Sequence, residues 1–247
     1  MKNIVIAPLY NEVNTLKDAL YEIKKYHNGD ILVIDDGSTD GSDKIVESLP
    51  FVKVIYHKTN QGYGASLNSG FRFAIDNQYD LLVTCDLDEQ HEPKLIPKMF
   101  SLIEDNDILS GSRYLEKSSN GQSIPPRGRK DVNRKVTAII NRLTNYNLTD
   151  GFCGFKGYKV SALRILNLNE KGYAHPLQGW IQASKLDLKV KEVAVPMIYK
   201  NMFRSFGNDL DDDTKRLEYY INAIKKEVQQ CQLFSLSELT QMISTLE

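Results

Sequence analysis

The chain has 247 residues, a formal net charge of -1, 41% apolar residues and 26% charged residues, an ordinary globular mixture that buries a core and excludes global disorder. Without a basic excess it is not expected to work by gripping a nucleic-acid backbone. Cys85, Cys153 and Cys231 are odd in number and include no Cys-x-x-Cys pair, so neither a disulfide framework nor a zinc site is expected, and a reducing compartment is.

The first apolar run, Ile4 to Ala7, is too short for a signal-peptide core and reads as a strand. No stretch approaches the roughly 18 apolar residues that cross a bilayer, which points to a cytoplasmic protein with attachment to a membrane surface left open. Strand patterns at 3–7, 30–34, 52–56, 80–85 and 107–110 alternate with helix patterns at 13–26, 41–49, 64–77 and 93–104. That alternation predicts a single α/β domain with a mostly parallel central sheet and helices on both faces. Ligands of such sheets sit beyond the carboxyl ends of the strands, which singles out residues 8–12, 35–41, 57–64 and 86–91.

From 113 to 135 the composition turns to Ser, Gly, Asn and Pro, and a mobile loop is expected. It carries seven basic residues (Arg113, Lys117, Arg127, Arg129, Lys130, Arg134, Lys135) against Glu116 and Asp131, so it is suited to close over an anion; the plain alternative is a solvated surface loop. A helix at 132–145, a turn at 149–154, a helix at 176–185, a strand at 190–195 and a long helix at 212–230 follow. The tail opens with a capping box at Ser235 and Glu238 and continues with Leu236, Leu239, Ile243 and Leu246 at helical spacing.

Asp86-Leu87-Asp88 follows directly on an apolar strand, where a period of two puts both carboxylates on one face. Two such groups suit Mg²⁺ or Mn²⁺, hard ions usually completed by substrate phosphates and water. An isolated Asp-x-Asp is also common in plain surface turns. The run Asp35-Asp36-Gly37-Ser38-Thr39-Asp40-Gly41 joins a strand to a glycine turn and a capped helix. Capping accounts for Ser38, Thr39 and Asp40 but does not require two adjacent aspartates, one of which suits a base N–H or ribose hydroxyl of a nucleotide. The acidic cluster Asp209, Asp211, Asp212 and Asp213 reads as complementing a helix start, and Trp180, Tyr219 and Tyr220 as packing residues.

The aspartate run and Pro8-Leu9-Tyr10-Asn11-Glu12 resemble family-two glycosyltransferases of the GT-A fold, in particular the dolichol-phosphate mannosyltransferase-like branch. In order there follow Asn60-Gln61-Gly62-Tyr63-Gly64-Ala65, Asp86-Leu87-Asp88-Glu89-Gln90-His91, Gly111-Ser112-Arg113, Thr149-Asp150-Gly151-Phe152 and Arg204-Ser205-Phe206-Gly207. The resemblance covers roughly 3–208, implying a GT-A domain at 1–208 and a helical extension at 209–247. It implies that Pro8, Tyr10, Glu12, Asp35 and Asp36 line a pocket for a GDP- or UDP-sugar, that Asp86 and Asp88 hold the metal and diphosphate, and that Gln90 lies beside the donor sugar. Arg113 and Arg204 would meet phosphate, a role suited to planar, permanently charged forks, while Gly62 and Gly64 would let backbone approach the donor.

Three departures bear on mechanism. Leu87 stands where relatives often have alanine and is expected to crowd the sugar pocket; the usual lysine after Arg204 and Gly207 is absent; and 171–186 contains no carboxylate. A hydroxyl acceptor needs a general base, for which Asp150 and His175 are the candidates beside the metal-holding Asp88, whereas a phosphate monoester attacks unaided. His175 before Pro176 also reads simply as the start of a helix. The acceptor expected is a lipid phosphate at a membrane surface, with Arg127, Arg129 and Arg134 as partners. The rival is a catalytically silent nucleotide-sugar-binding or scaffolding protein. A nicotinamide Rossmann enzyme is excluded by the missing Gly-x-Gly-x-x-Gly after the first strand, and a nucleotidyltransferase by the missing glycine- and lysine-rich first loop.

Overall fold

The structure, a computed structural model, describes residues 1–115, 127–198, 207–235, 237–239 and 241. Its seven-stranded sheet runs in the order β3-β2-β1-β4-β6-β5-β7, with β1 Asn3–Leu9, β2 Asp30–Asp35, β3 Val52–Tyr56, β4 Leu81–Thr84, β5 Ile108–Ser112, β6 Lys156–Lys159 and β7 Val190–Ala194. Pairing is parallel except at β6, which lies antiparallel to both β4 and β5. Nothing in the sequence marks β6, because Lys-Gly-Tyr-Lys offers no apolar run; it becomes a strand through ladder partners on both sides, β4 and β5. The helices are α1 Leu16–Tyr26, α2 Ser42–Glu47, α3 Tyr63–Asp76, α4 Ile96–Leu102, α5 Arg127–Thr144, α6 Val160–Ile165, α7 His175–Lys185 and α8 Asp213–Cys231. Among the described residues no helix is long and apolar enough to cross a membrane.

Alternation along β1 separates two cores. Ile4 and Ile6 join Leu32, Ile34 and Leu82 beneath α3 and α7, whereas Val5, Ala7 and Leu9 join Ile31, Val33 and Val83 against α1 and α4, as period-two strands buried on both faces require. The loop expected at 113–135 is corrected from Arg127 onward: α5 starts there, so Arg129, Lys130, Arg134 and Lys135 are helical. Its core face, Val132, Val136, Ile139, Ile140 and Leu143, recurs at three- and four-residue spacing, and burying that stripe carries the helix back through its charged first turns. Helix α8 packs on this core through Tyr220, Ile224 and Val228. Beyond it the expected capping box forms, with Ser235 N donating to Glu238 Oε2 (2.8 Å) and Glu238 N to Ser235 Oγ (3.3 Å).

Candidate active site

The sheet order reverses between β1 and β4, the usual position of a ligand crevice in open α/β sheets. Short polar side chains first zip the neighbouring loops together. Asn11, in the left-handed region (φ 55), donates its amide to Ser38 Oγ (3.0 Å) and accepts from Thr39 N (2.8 Å). Glu12 N donates to Ser42 Oγ (3.1 Å) and Val13 N to Asp40 Oδ2 (2.9 Å). Asp40 Oδ1 also accepts from Ser42 N at the start of α2 (3.0 Å), the helix-start role read from the sequence.

The adjacent aspartates divide two tasks. Asp35, 2% exposed, accepts from Ser38 N (2.9 Å) and closes the turn at Gly37 (φ 74). Strand alternation points it to the Val33 side of the sheet, and Asp36 rather than Asp35 lines the cleft. Asp36 faces the cleft and holds the loop after β3, accepting from Gln61 N (2.9 Å) and Gly62 N (2.8 Å) and pairing with His57 Nδ1 at 2.6 Å. Gly62 sits at φ 107, and a Cβ there would lie 2.4 Å from the Lys171 carbonyl oxygen, so only glycine fits this crossing.

At the end of β4, Asp86 Oδ1 accepts from the Tyr63 hydroxyl (3.1 Å). Burial, with the Asp86 charge beside it, raises the Tyr63 phenol well above its ordinary value and keeps it a donor. Asp86 N donates to His91 Nδ1 (2.9 Å), which leaves the ring proton on Nε2, 3.6 Å from Asp86 Oδ2. Asp88 Oδ1 accepts from Gln90 N (3.0 Å) across a turn with Glu89 at φ 60. Leu87, between the two carboxylates, is 1% exposed and belongs to the core with Ala7 and Cys85, and it also borders the cleft. A Cβ on Gly154 would fall 2.7 Å from the Tyr63 hydroxyl and 2.8 Å from Asp86 Oδ2. Asp86 and Asp88 both line the cleft, and two carboxylates are a donor set that suits a hard divalent ion whose other ligands are substrate oxygens and water; among the described residues no group of three or more His, Cys, Asp or Glu could hold such an ion by itself.

Arg113 follows β5 and is gripped by Asp150, with Nε 2.6 Å from Oδ2 and Nη2 2.9 Å from Oδ1. Asn133 Nδ2 adds a bond to Asp150 (2.8 Å), and Glu192 fixes the turn by accepting from Thr149 N (2.9 Å) and Asp150 N (3.0 Å). Burial alone would raise the Asp150 carboxyl, but the Arg113 charge and hydrogen bonds, with that of Asn133, hold it at about 2. Asp150, a candidate base in the sequence, is 0% exposed and its carboxylate is taken up by Arg113 and Asn133. His175, the other candidate base, is also enclosed. Its ring is 2% exposed, Nε2 lies 2.9 Å from Asn68 Oδ1, and burial, aided by the Lys156 charge, lowers it to about 3. As the first residue of α7 it faces α3, and its neighbour Pro176 lines the cleft instead.

One cleft of about 850 Å³ brings together Pro8, Tyr10, Glu12, Asp36, Gly62, Asp86, Leu87, Asp88, Gln90 and Arg113, and Arg129 from α5. Arg204 and Lys117, together with the side chain of Arg127, lie outside the described residues. The sequence reading missed Tyr63, Asn133, Tyr173 and Arg216, which also line this cleft, and His91 behind it. His91 was visible only as the fifth residue after Asp86. Tyr219 and Tyr220, read as packing, pack and line the cleft as well, while Trp180, 2% exposed, is a core residue. Asp212 caps α8 by accepting from Thr214 N and Lys215 N, both at 2.9 Å, and Asp209 pairs with Lys215 at 2.7 Å.

Residues 4–166 match the profile of glycosyl transferase family 2. An undecaprenyl-phosphate mannosyltransferase of Micrococcus luteus is 28% identical over 214 residues, 83% of this chain and 87% of that one. A UDP-N-acetylglucosamine–dolichyl-phosphate N-acetylglucosaminyltransferase of Methanococcus voltae is 28% identical over 226 residues, covering 83% and 89%. The crystal structure of glucosyl-3-phosphoglycerate synthase from Mycobacterium tuberculosis in complex with Mn²⁺, uridine diphosphate and phosphoglyceric acid superposes with a TM-score of 0.67 over 95% of this chain and 80% of that one. At 15% identity that likeness shows the fold, a GT-A sheet. With its strand-end carboxylates and glycine turns inside the matched segment, the chain belongs to glycosyl transferase family 2.

Proposed function

We propose that this glycosyltransferase moves a sugar from a nucleoside-diphosphate sugar to a polyprenyl phosphate, with inversion at the anomeric carbon, and that it does so with a divalent metal. The observation that carries the proposal is the meeting of Asp86 and Asp88 with Tyr10, Glu12 and Asp36 in one cleft, while Asp150 and His175 are both withdrawn from it. Pro8, Tyr10, Glu12 and Asp36 would bound the nucleotide, and Gln90 the sugar. Asp86 and Asp88 would hold Mg²⁺ or Mn²⁺, which when bound supplies charge stabilisation to the departing diphosphate. Arg113, preset by Asp150, offers a guanidinium to the same developing charge without reorganising. The acceptor's phosphate oxygen forms the new bond to the anomeric carbon as the bond to the nucleoside diphosphate breaks. No proton need move, because a phosphate monoester is already largely ionised above its second pKa of about 6. The relatives named for undecaprenyl phosphate and dolichyl phosphate support an acceptor of this class. The 209–247 extension would act within the catalytic body, and the enzyme would meet its acceptor at a membrane surface.

Thermal-shift titration with GDP- and UDP-sugars plus Mn²⁺ identifies the donor, because a ligand that binds only the folded state raises apparent stability. Transfer to a short-chain polyprenyl phosphate is then expected, with the rate levelling off above about pH 7 as the acceptor ionises. Tight donor binding with no transfer to any acceptor would favour the silent binding module, and transfer only to hydroxyl acceptors would overturn the assignment of acceptor.

A further inference from the structure

Neither the strap 169–174 nor α8 lies within the residues that match the family profile, 4–166, yet both border the cleft, through Gly172 and Tyr173 and through Tyr219. The strap crosses the first turn of α3 at contact distance. A Cβ on Gly64 would lie 2.4 Å from the Glu170 carbonyl oxygen and 2.9 Å from that of Gly172, so backbone meets backbone with no room for a side chain between them. The Lys171 carbonyl accepts from Ala65 N (3.1 Å), one of the amides left open at a helix start, and the Glu170 carbonyl accepts from Asn68 Nδ2 (3.2 Å). The Tyr173 ring lies along that of Tyr63, with centroids 5.9 Å apart and planes at 17°. The same turn carries the Gly62 amide that donates to Asp36 and the Tyr63 hydroxyl that donates to Asp86. Its position therefore sets how both cleft carboxylates are held.

Helix α8 grips the strap at two points. Ala174 N donates to the Tyr219 hydroxyl oxygen (3.3 Å), which leaves the hydroxyl proton for Glu170 Oε1 (3.0 Å), and Gly172 N donates to that same carboxylate oxygen (2.9 Å). Glu227, 4% exposed, accepts from Gln178 Nε2 (2.7 Å). A carboxylate can only accept, so Gln178 turns its amide nitrogen toward α8 and its Oε1 toward Asn169 N and Glu170 N (2.8 Å each). Residues 169–174 belong to no helix or strand, so these bonds rather than a backbone ladder fix their course.

We propose that Tyr219 and Glu170 are positioning residues for the donor and metal wall: α8 fixes the strap, the strap fixes the Gly62–Tyr63 turn, and that turn presents Asp36 and Asp86. This rests on the reading that those carboxylates meet a nucleotide sugar and its divalent ion.

The test takes Tyr219→Phe, Glu170→Ala and Glu170→Gln and measures Mn²⁺ affinity by direct titration without substrate, the KM values for nucleotide sugar and for acceptor separately, and the thermal midpoint. Glu170→Ala strips the acceptor from both Tyr219 and Gly172 and is expected to weaken Mn²⁺ binding about tenfold, the low end for groups that orient a metal ligand, and to raise the donor KM by a similar factor. Tyr219→Phe, which loses one hydrogen bond, is expected to change each about threefold, with the acceptor KM within about twofold. Glu170→Gln keeps Oε1 and is expected to bring both back to within about twofold of wild type. Should Glu170→Ala not fold, Tyr219→Phe carries the decision. A lowered thermal midpoint with Mn²⁺ affinity and donor KM both unchanged would make these contacts structural only and overturn the proposal. A rise in acceptor KM alone would make Tyr219 an acceptor contact and overturn it as well. If the wild type binds no Mn²⁺, the metal reading of Asp86 and Asp88 fails, while the donor KM still decides whether α8 braces the turn.

Discussion

The two sides of the cleft are built in different ways. The loop side is made of short contiguous motifs at strand ends, each side chain anchored within one or two neighbouring turns: Asp36 holds the Gln61–Gly62 amides, and Tyr63 and His91 flank Asp86. The helix side is assembled from residues remote in sequence, where Arg113 depends on Asp150, Asn133 and Glu192, and Arg216 enters from α8. Strand ends place side chains by alternation alone, whereas helices place them only after packing has set their rotation. A substitution on the loop side should therefore remove chemistry and spare stability. One on the helix side should move both together.

The largest effect expected is that of Asp88→Ala, which removes half of the carboxylate pair from a partly exposed turn. Metal-dependent turnover should fall by about 10³-fold or more, the worth of several kcal/mol of charge stabilisation, with the thermal midpoint nearly unchanged. Normal turnover of the folded variant would remove Asp88 from the site. Asp150→Asn comes next. Misplacing Arg113 should cost about 10²-fold in kcat/KM, and breaking the buried pair about 3 kcal/mol of stability, so a variant that loses activity alone would blur the contrast between the two sides.

The same residue gives a pH test. Asp150 titrates at about 2 in the fold against an ordinary 3.8, so the unfolded chain binds its proton first on acidification. Its contribution is complete above about pH 5 and is lost as the pH falls through about 4 to 2. Denaturation midpoints of wild type and Asp150→Asn should therefore converge on acidification across that window; parallel curves would mean that the pair adds nothing there.

Tyr63→Phe sharpens the loop side. Losing the hydroxyl that orients Asp86 should weaken Mn²⁺ binding about tenfold, as for other groups that steer a metal ligand, read by direct titration of the metal without substrate. The smallest change in turnover is expected for His175→Gln, within about twofold, with roughly 1 kcal/mol lost from the bond to Asn68. A collapse of turnover with the fold intact would restore His175 as a base.

The loop side was largely legible beforehand, but by two routes: the period-two rule puts Asp86 and Asp88 on one face, whereas Pro8, Tyr10, Glu12, Asp36 and Gln90 were grouped only through the resemblance to the family, and all of them line the cleft. The same rule, applied one residue further, sends Asp35 to the Val33 side of the sheet and Leu87 into the core, although Leu87 still borders the cleft. On the helix side, Asp150 and His175 were picked for their chemical type, and no local pattern reveals that one is locked under an arginine and the other faces α3. Arg216 had no sequence signal at all, since its setting depends on how α8 docks on α5 and α7.

By itself the sequence determined the α/β alternation, the strand ends that carry carboxylates and the glycines where backbones cross, because these follow from steric and alternation rules acting over a few residues. Only the tertiary structure decided the insertion of β6, the start of α5 at Arg127, the withdrawal of both candidate bases and the entry of α8 into the cleft. Those outcomes depend on which apolar surfaces find one another across long stretches of chain, and burial of that kind is set by the whole core at once.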